Sequence, residues 1–307
     1  LDSKHPAIWS YIQPLFQRIR RKHILIFVFL VIAVGAAGWV STWHKAPMAV
    51  ADTELFVVGK NDAPEDITGK LQERGFIKYS FALALYQRFG KITAENIAPG
   101  GYEIAQNMNL FRVFDVLHEN PRKVWVTIPE GLRKEEIAQR FATALMWTDA
   151  EIQKFIDIDT ALTYERIEGF YFPDTYLVNR DESTYNIAQI MLQRFETVFA
   201  PYYPKFLEAN IKNDTAVRLA SIVQREAAGK EDMPLVAGVA WNRLLSGIKL
   251  EMDSTVQYAR GNKGQGYWAP ITAADIREID SPYNTYKVEG LPPHAICNPG
   301  LDAIDAV

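Results

Sequence analysis

The chain has almost no cysteine. Cys297 is the only one in 307 residues, so no disulfide can close within the chain and no cysteine cluster can hold a structural zinc. Histidine is sparse as well. His5, His23, His44, His118 and His294 are scattered, and no two have H-x-x-x-H spacing, so neither a metal nor a cofactor is expected. Charge of one sign is also lacking: a net charge of −4 provides no basic surface for nucleic acid. What remains is ordinary for a globular protein, with 48% apolar and 23% charged residues. The length suits a membrane anchor and roughly two domains. The sequence starts without Met and stops at Ala303-Ile304-Asp305-Ala306-Val307. That ending reads as the first turn of a helix, so a fragment at both ends is expected.

One long hydrophobic run is present. Ile24 to Val40 carries no charge, and with Ser41, Thr42 and Trp43 it approaches the roughly 20 residues that span a bilayer. Arg18, Arg20, Arg21 and Lys22 precede it, which keeps residues 1–23 in the cytoplasm and puts everything after Lys45 on the far side. Trp39 and Trp43 suit an interfacial aromatic belt. A cleaved signal peptide is the competing reading, but the long leader and the lack of a small-x-small cleavage site favour an uncleaved anchor over 24–43.

Beyond the linker, Leu55–Gly59 reads as a strand, Ala63–Arg74 as a helix with Ile67 and Leu71 inward, and Ser80–Phe89 as a second helix. Ile97–Ile104 is a turn and strand, and Asn109–Leu117 a helix with Phe111, Phe114 and Leu117 apolar. Val124–Ile128 is again a strand, followed by a glycine turn and a helix bearing Ile137, Phe141 and Leu145. This strand, turn, helix order occurs twice, a weak repeat that argues for small α+β modules. From Ala150 the pattern is mostly helical, over 151–156, 183–199, 203–209, 215–228 and 234–245. The remainder from Ile248 is expected to be loop-rich.

Within 215–228 lies the most informative residue. Leu219, Ile222 and Val223 form an apolar stripe, and Glu226 falls on its centre line, seven, four and three residues further on. Carboxyl groups on apolar faces lose hydration and hold their proton more tightly, which is what a general acid needs. The alternative is a glutamate near a helix end that bends back to water, with Gly229 as the C-terminal stop.

Several blocks then occur in order: Glu168-Gly169-Phe170-Tyr171-Phe172-Pro173-Asp174-Thr175-Tyr176; Leu219-Ala220-Ser221-Ile222-Val223 before Glu226; Asn242-Arg243-Leu244; Leu250 to Ala259; and Ser281-Pro282-Tyr283-Asn284-Thr285-Tyr286 with Gly290-Leu291-Pro292-Pro293 and Asn298-Pro299-Gly300. Behind one membrane anchor, this order resembles the YceG-like endolytic murein transglycosylases, the MltG family, over about residues 20–307.

The resemblance implies an α+β chain with a single N-terminal transmembrane helix, a small LysM-like α+β module over 52–119 and a mixed, mostly helical catalytic domain over 120–307. It implies a lyase in the bacterial inner membrane, its catalytic domain on the periplasmic or extracytoplasmic side. Such an enzyme cuts peptidoglycan glycan strands between N-acetylmuramic acid and N-acetylglucosamine, leaves 1,6-anhydromuramic ends and ends the elongation of nascent strands. The family's catalytic glutamate falls on Glu226. Relatives carry an acidic residue two positions earlier, where this chain has Gln224, and often Gly where it has His294.

The implied glycan contacts are Tyr258, Tyr283 and Tyr286 for sugar faces, and Asn242, Asn284, Thr255 and Asp253 for polar groups. Tyr258 also fits packing, Asn242 a turn cap, and Asp253 a role holding loop amides. Glu168 is either structural or a second carboxylate, and Asp174 suits local turn hydrogen bonds. Three other functions remain open at this point: a non-catalytic glycan-binding anchor, a scaffold for cell-wall synthases, and a true muramidase pairing Glu226 with Asp253 or Glu168.

Overall fold

The structure is a computed structural model that describes residues 23, 25–38, 45–79, 97–161 and 168–307. It is a mixed α+β structure in two compact units, Leu1–Arg122 and Lys123–Val307, against a boundary at 119/120 expected from the sequence. Residues 25–38 are helical, with large apolar side chains exposed to solvent. Among the described residues no helix is long and apolar enough to cross a membrane. The ends of the expected span, residue 24 and residues 39–43, lie outside the described residues, as does the expected helix Ser80–Phe89.

In the first unit, β1 (Thr53–Val58) pairs antiparallel with β2 (Gly100–Ala105), setting Phe56 opposite Tyr102. Helix α1 (Pro64–Glu73) opens on a proline, whose missing N–H costs nothing in the first turn. Helix α2 (Leu110–His118) is capped by Asn109, whose side chain accepts the Arg112 N–H at 2.9 Å. Phe56, Ile67, Leu71, Tyr102, Phe114 and Leu117 share one core. Phe111 was expected on the apolar face of α2, but it is exposed. The buried face of that helix runs through Leu110, Val113, Phe114 and Leu117, and Phe111 lies off that line.

In the second unit, β3 (Lys123–Thr127) pairs antiparallel with β4 (Thr175–Asn179), Trp125 facing Leu177. Strand β4 was not expected. Its residues Tyr176 and Val178 are buried and alternate with the exposed Thr175, the half-buried pattern of a short strand. The helices are α3 (Lys134–Leu145), α4 (Asp149–Lys154), α5 (Thr184–Phe199), α6 (Tyr203–Glu208), α7 (Asn213–Glu226), α8 (Met233–Leu245), α9 (Asp253–Arg260), α10 (Ala273–Glu278) and α11 (Leu301–Ala306). The stretch after Ile248, expected to be loop-rich, also holds α9 and α10, while α11 agrees with the helix start read in Ala303–Val307.

Helix α7 is the axis of this unit. Its Val217, Leu219, Ile222 and Val223 are wholly buried, and it packs against α6, α8, α9 and α11. Gly169 approaches it so closely that a Cβ there would sit 2.7 Å from Val217 Cγ1 and 2.6 Å from Ala295 Cβ, at a φ of +93°. Both the contact and the left-handed backbone require glycine. We expect Gly169→Ala to destabilise the protein by about 2–4 kcal/mol through overpacking and strain, measured by chemical denaturation; an unchanged midpoint would contradict this packing.

Candidate active site

Glu226 is the last residue of α7. The chain leaves the helix at Ala227, which is extended (φ −69°, ψ 136°). Gly229 is extended as well, with φ −177°, so it does not supply the left-handed cap expected of it. The setting of Glu226 also differs from the expected apolar one. The stripe Leu219, Ile222, Val223 enters the core, while Glu226, at the helix end, is half-buried and turned into a cleft. Its Oε1 accepts the N–H of Ser254 at 2.8 Å, in the first turn of α9, where backbone donors lack helical partners. Among the described residues nothing donates to Oε2.

The cleft has a volume of about 330 Å³ and is lined by Glu226, Asp232, Leu235, Val236, Val239 and Met252. Asp232 and the aliphatic wall escaped the sequence reading. A signal was available: α8 buries Met233, Ala237 and Ala240 on one side, yet also carries Leu235 and Val239 on another, at 69% and 50% exposure. A helix that is apolar on two faces has a second surface to account for.

The remaining blocks hold this arrangement in place. Arg243 donates to the carbonyls of Lys249 and Leu250. Glu251 turns the chain with a φ of +53°. Thr285 Oγ1 accepts the Met252 N–H at 3.0 Å, its carbonyl accepts the Glu251 N–H, and its hydroxyl meets that of Thr255 at 2.8 Å. Thr255 is thus fully buried, with its hydroxyl engaged by Met252 and Thr285. Asn284 is held in a similar way. It is fully buried and donates to the Ile276 and Ile279 carbonyls while accepting the Tyr286 N–H.

Tyr258 and Tyr283 do not line the cleft. Their rings lie 4.7 Å apart, the Arg133 guanidinium covers Tyr258 at 4.1 Å, and burial pushes both hydroxyl pKa values up. Tyr286 is different: its hydroxyl donates to Asp253 Oδ1 at 2.6 Å. Burial, then the Asp253 carboxylate, push its pKa up to about 12, with Glu226 near enough to contribute. Asn242 is exposed on α8, seven residues after Leu235 and three after Val239, which places it on the cleft-facing side of that helix.

The order of these elements matches known proteins. The model of the YceG-like family matches residues 56–307. The chain belongs to the YceG-like family. An endolytic murein transglycosylase of Streptococcus pneumoniae serotype 2 is 26% identical over 318 aligned residues, 92% of this chain and 57% of that protein. One of Bacillus subtilis is 26% identical over 78% of this chain and 71% of its own length. The chain thus spans little more than half of the pneumococcal relative. The crystal structure of a yceG-like protein from Listeria monocytogenes, 26% identical, superposes with a TM-score of 0.58, covering 83% of this chain and 89% of that one.

In this YceG-like chain Glu168 is not a partner for Glu226. It is completely buried and makes two kinds of bond, accepting from Asn298 Nδ2 at 2.7 Å and from the Lys134 N–H at 3.1 Å. Asn298 also accepts the Gly169 and Tyr171 N–H groups and donates to the Leu132 carbonyl, so one buried amide ties the Glu168 turn to the segment beside α7. Burial, aided by the nearby Glu135 charge, pushes the Glu168 pKa from 4.5 up to about 8. The folded protein therefore keeps a proton that the unfolded chain releases near 4.5, and this group makes stability fall as pH rises from about 4.5 to about 8. Glu168→Gln keeps the accepting oxygen and removes the titration. We expect its melting temperature to match the wild type near pH 5 and to exceed it by several degrees at pH 9; parallel pH profiles would refute a buried neutral acid.

Proposed function

We propose that this chain is an endolytic murein transglycosylase, cutting the glycan strands of peptidoglycan between N-acetylmuramic acid and N-acetylglucosamine. The observation that carries the proposal is Glu226, fixed through Oε1 by Ser254 and lining an open cleft. The names of its relatives support it. Of the carboxylates considered as partners, Glu168 is sealed in the core and Asp253 is tied to Tyr286.

Glu226 gives its proton to the leaving glycosidic oxygen as the bond to the muramic C1 breaks. The muramic C6 hydroxyl then bonds to C1, and its proton passes to the Glu226 carboxylate. The product is an anhydro end, no water is consumed, and Glu226 is returned to its starting form. The substrate hydroxyl, held close, replaces a second protein nucleophile. Throughout, Ser254 N–H remains a donor to Oε1, so the carboxyl keeps its aim. Because Asp232 shares the cleft, a muramidase using Asp232 to activate water is the one rival with a structural basis, and it would leave reducing ends instead.

The same reading assigns residues 24–43 as a single-pass anchor in the bacterial inner membrane, with the N-terminus cytoplasmic, and residues 52–119 as a LysM-like module. Cell-wall synthases are partners that fit this placement, and the cut would end strand elongation. Support comes from the exposed apolar helix 25–38 and the basic residues before it.

On purified glycan strands we expect anhydro ends by mass spectrometry, and a loss of at least about 10²–10⁴-fold in rate for Glu226→Gln with an unchanged melting temperature; reducing ends, or an active Glu226→Gln, would overturn the proposal. Deleting residues 1–45 should release the protein from membranes into the soluble fraction, and continued sedimentation with membranes would contradict a single anchor.

A further inference from the structure

We infer that Asp232 binds the acetamido group of the sugar at the scissile bond, accepting its N–H while Leu235, Val236, Val239 and Met252 receive its methyl group; this rests on the transglycosylase reading above. The composition of the cleft points there. No aromatic ring is among the residues lining it, so it is not a stacking platform for a sugar face. It offers one carboxylate besides Glu226, set in an aliphatic wall. Sugar hydroxyls have no use for such a wall. An acetamido group carries both a donor for the carboxylate and a methyl for the aliphatics, and binding it would cover Leu235 and Val239, now 69% and 50% exposed.

The position of Asp232 adds an independent reason. It closes the 3-10 turn Lys230–Asp232 that runs directly into α8, with helical backbone (φ −90°, ψ −20°) and no side-chain bond into that helix. Instead Oδ2 turns back to the Ala228 N–H at 3.3 Å, on the loop leaving Glu226. Among the described residues nothing donates to Oδ1. The carboxylate is thus tethered on one oxygen and open on the other, in the same cleft as the acid.

The chemistry balances without any added reagent. As Glu226 protonates the leaving oxygen and the C1–O bond breaks, the acetamido carbonyl oxygen bonds to C1 and the positive charge spreads onto the acetamido nitrogen. Asp232 accepts the hydrogen bond of that N–H and stabilises the charge, with no proton transferred to it. The C6 hydroxyl next displaces the carbonyl oxygen from C1 and its proton goes to Glu226. Assistance by a substrate acetamido group is a known exception to the two-carboxylate scheme, and an aliphatic surround strengthens the Asp232 interaction.

The test compares the full chain with Asp232→Asn on two substrates: purified glycan strands, and the same strands chemically N-deacetylated. kcat, KM and product ends are read for all four pairs. On acetylated strands Asp232→Asn should lose about 10²-fold in kcat with KM nearly unchanged. Wild type should lose a similar factor on deacetylated strands, and Asp232→Asn should lose little further there, because the two changes remove one interaction. Equal loss by the variant on both substrates would assign Asp232 to loop structure and overturn the inference, as would no loss. Wild-type anhydro product on acetylated strands upholds the underlying function in either case; its absence would overturn both. If circular dichroism shows Asp232→Asn misfolded, Asp232→Glu decides by the same comparison, since a displaced carboxylate should lose rate on acetylated strands alone.

Discussion

The hydrogen bond from the Ser254 N–H to Glu226 Oε1, 2.8 Å long, is the contact around which the site is built. It joins the end of α7 to the start of α9, and a helix start can be aimed at a side chain only if the preceding chain is held rigidly. The turn before α9 passes through Glu251 at a φ of +53°, a conformation costing on the order of 1–3 kcal/mol for a residue with a side chain. Arg243, Thr285 and Thr255 offset that cost with hydrogen bonds to the same few residues. Three separate sequence blocks are in this sense a single clamp, and their buried polar groups serve it rather than the substrate.

A second constraint fixes the other end of the contact. Helix α7 is a rod of buried aliphatics, free in principle to slide, and apolar packing alone specifies position loosely. The stretch from Ile296 to Gly300 removes that freedom. Ser221 Oγ accepts the Ile296 N–H at 3.0 Å, Cys297 Sγ donates to the Ser221 carbonyl, and Gln224 Oε1 accepts the Gly300 N–H at 2.9 Å. Asn298 then ties this stretch to Leu132 and to the Glu168 turn. Buried polar groups are costly unless every one is paired, and here pairing them sets the register of the helix that carries Glu226. The lone cysteine belongs to this stapling: burial raises its pKa far above the ordinary thiol value, which suits a packing residue and not a nucleophile.

Period and punctuation made much of this legible in advance. The stripe of α7, the Ile137, Phe141, Leu145 face of α3 and the Ile67, Leu71 pair of α1 all emerge from 3.6-residue spacing, and each is buried. Helices α9 and α10 did not emerge, because eight and six residues make about two turns and are stabilised by tertiary contacts rather than by pattern; the start of α11 was legible in Ala303–Val307. Strand β4 was hidden within a block that read as a turn. Glu226 could be singled out because a carboxylate on an apolar line breaks the pattern. That Thr255 and Asn284 are fully buried against backbone carbonyls was not legible, because a polar residue in a polar stretch gives no sign of whether it faces a ligand or the backbone beside it. Asp232 was overlooked for a similar reason: an aspartate in the short polar stretch before α8 breaks no apolar pattern, and only the geometry places it in the cleft.

Two glutamates in one unit show why setting decides role. Glu168 is sealed among Arg133, Glu135 and Asn298, with a pKa near 8, so it stays protonated through neutral pH and acts as a fixed hydrogen-bonding group. A residue that must donate a proton in one step and accept one in the next cannot be held in a single form this way, since deep burial penalises the ionised state it has to visit. It needs a fixed orientation together with access to substrate and solvent. Half-burial at a helix end that lines an open cleft, with one oxygen clamped by a backbone donor, meets both needs. The departure of Glu226 from the fully apolar setting therefore fits the proposed acid and base role.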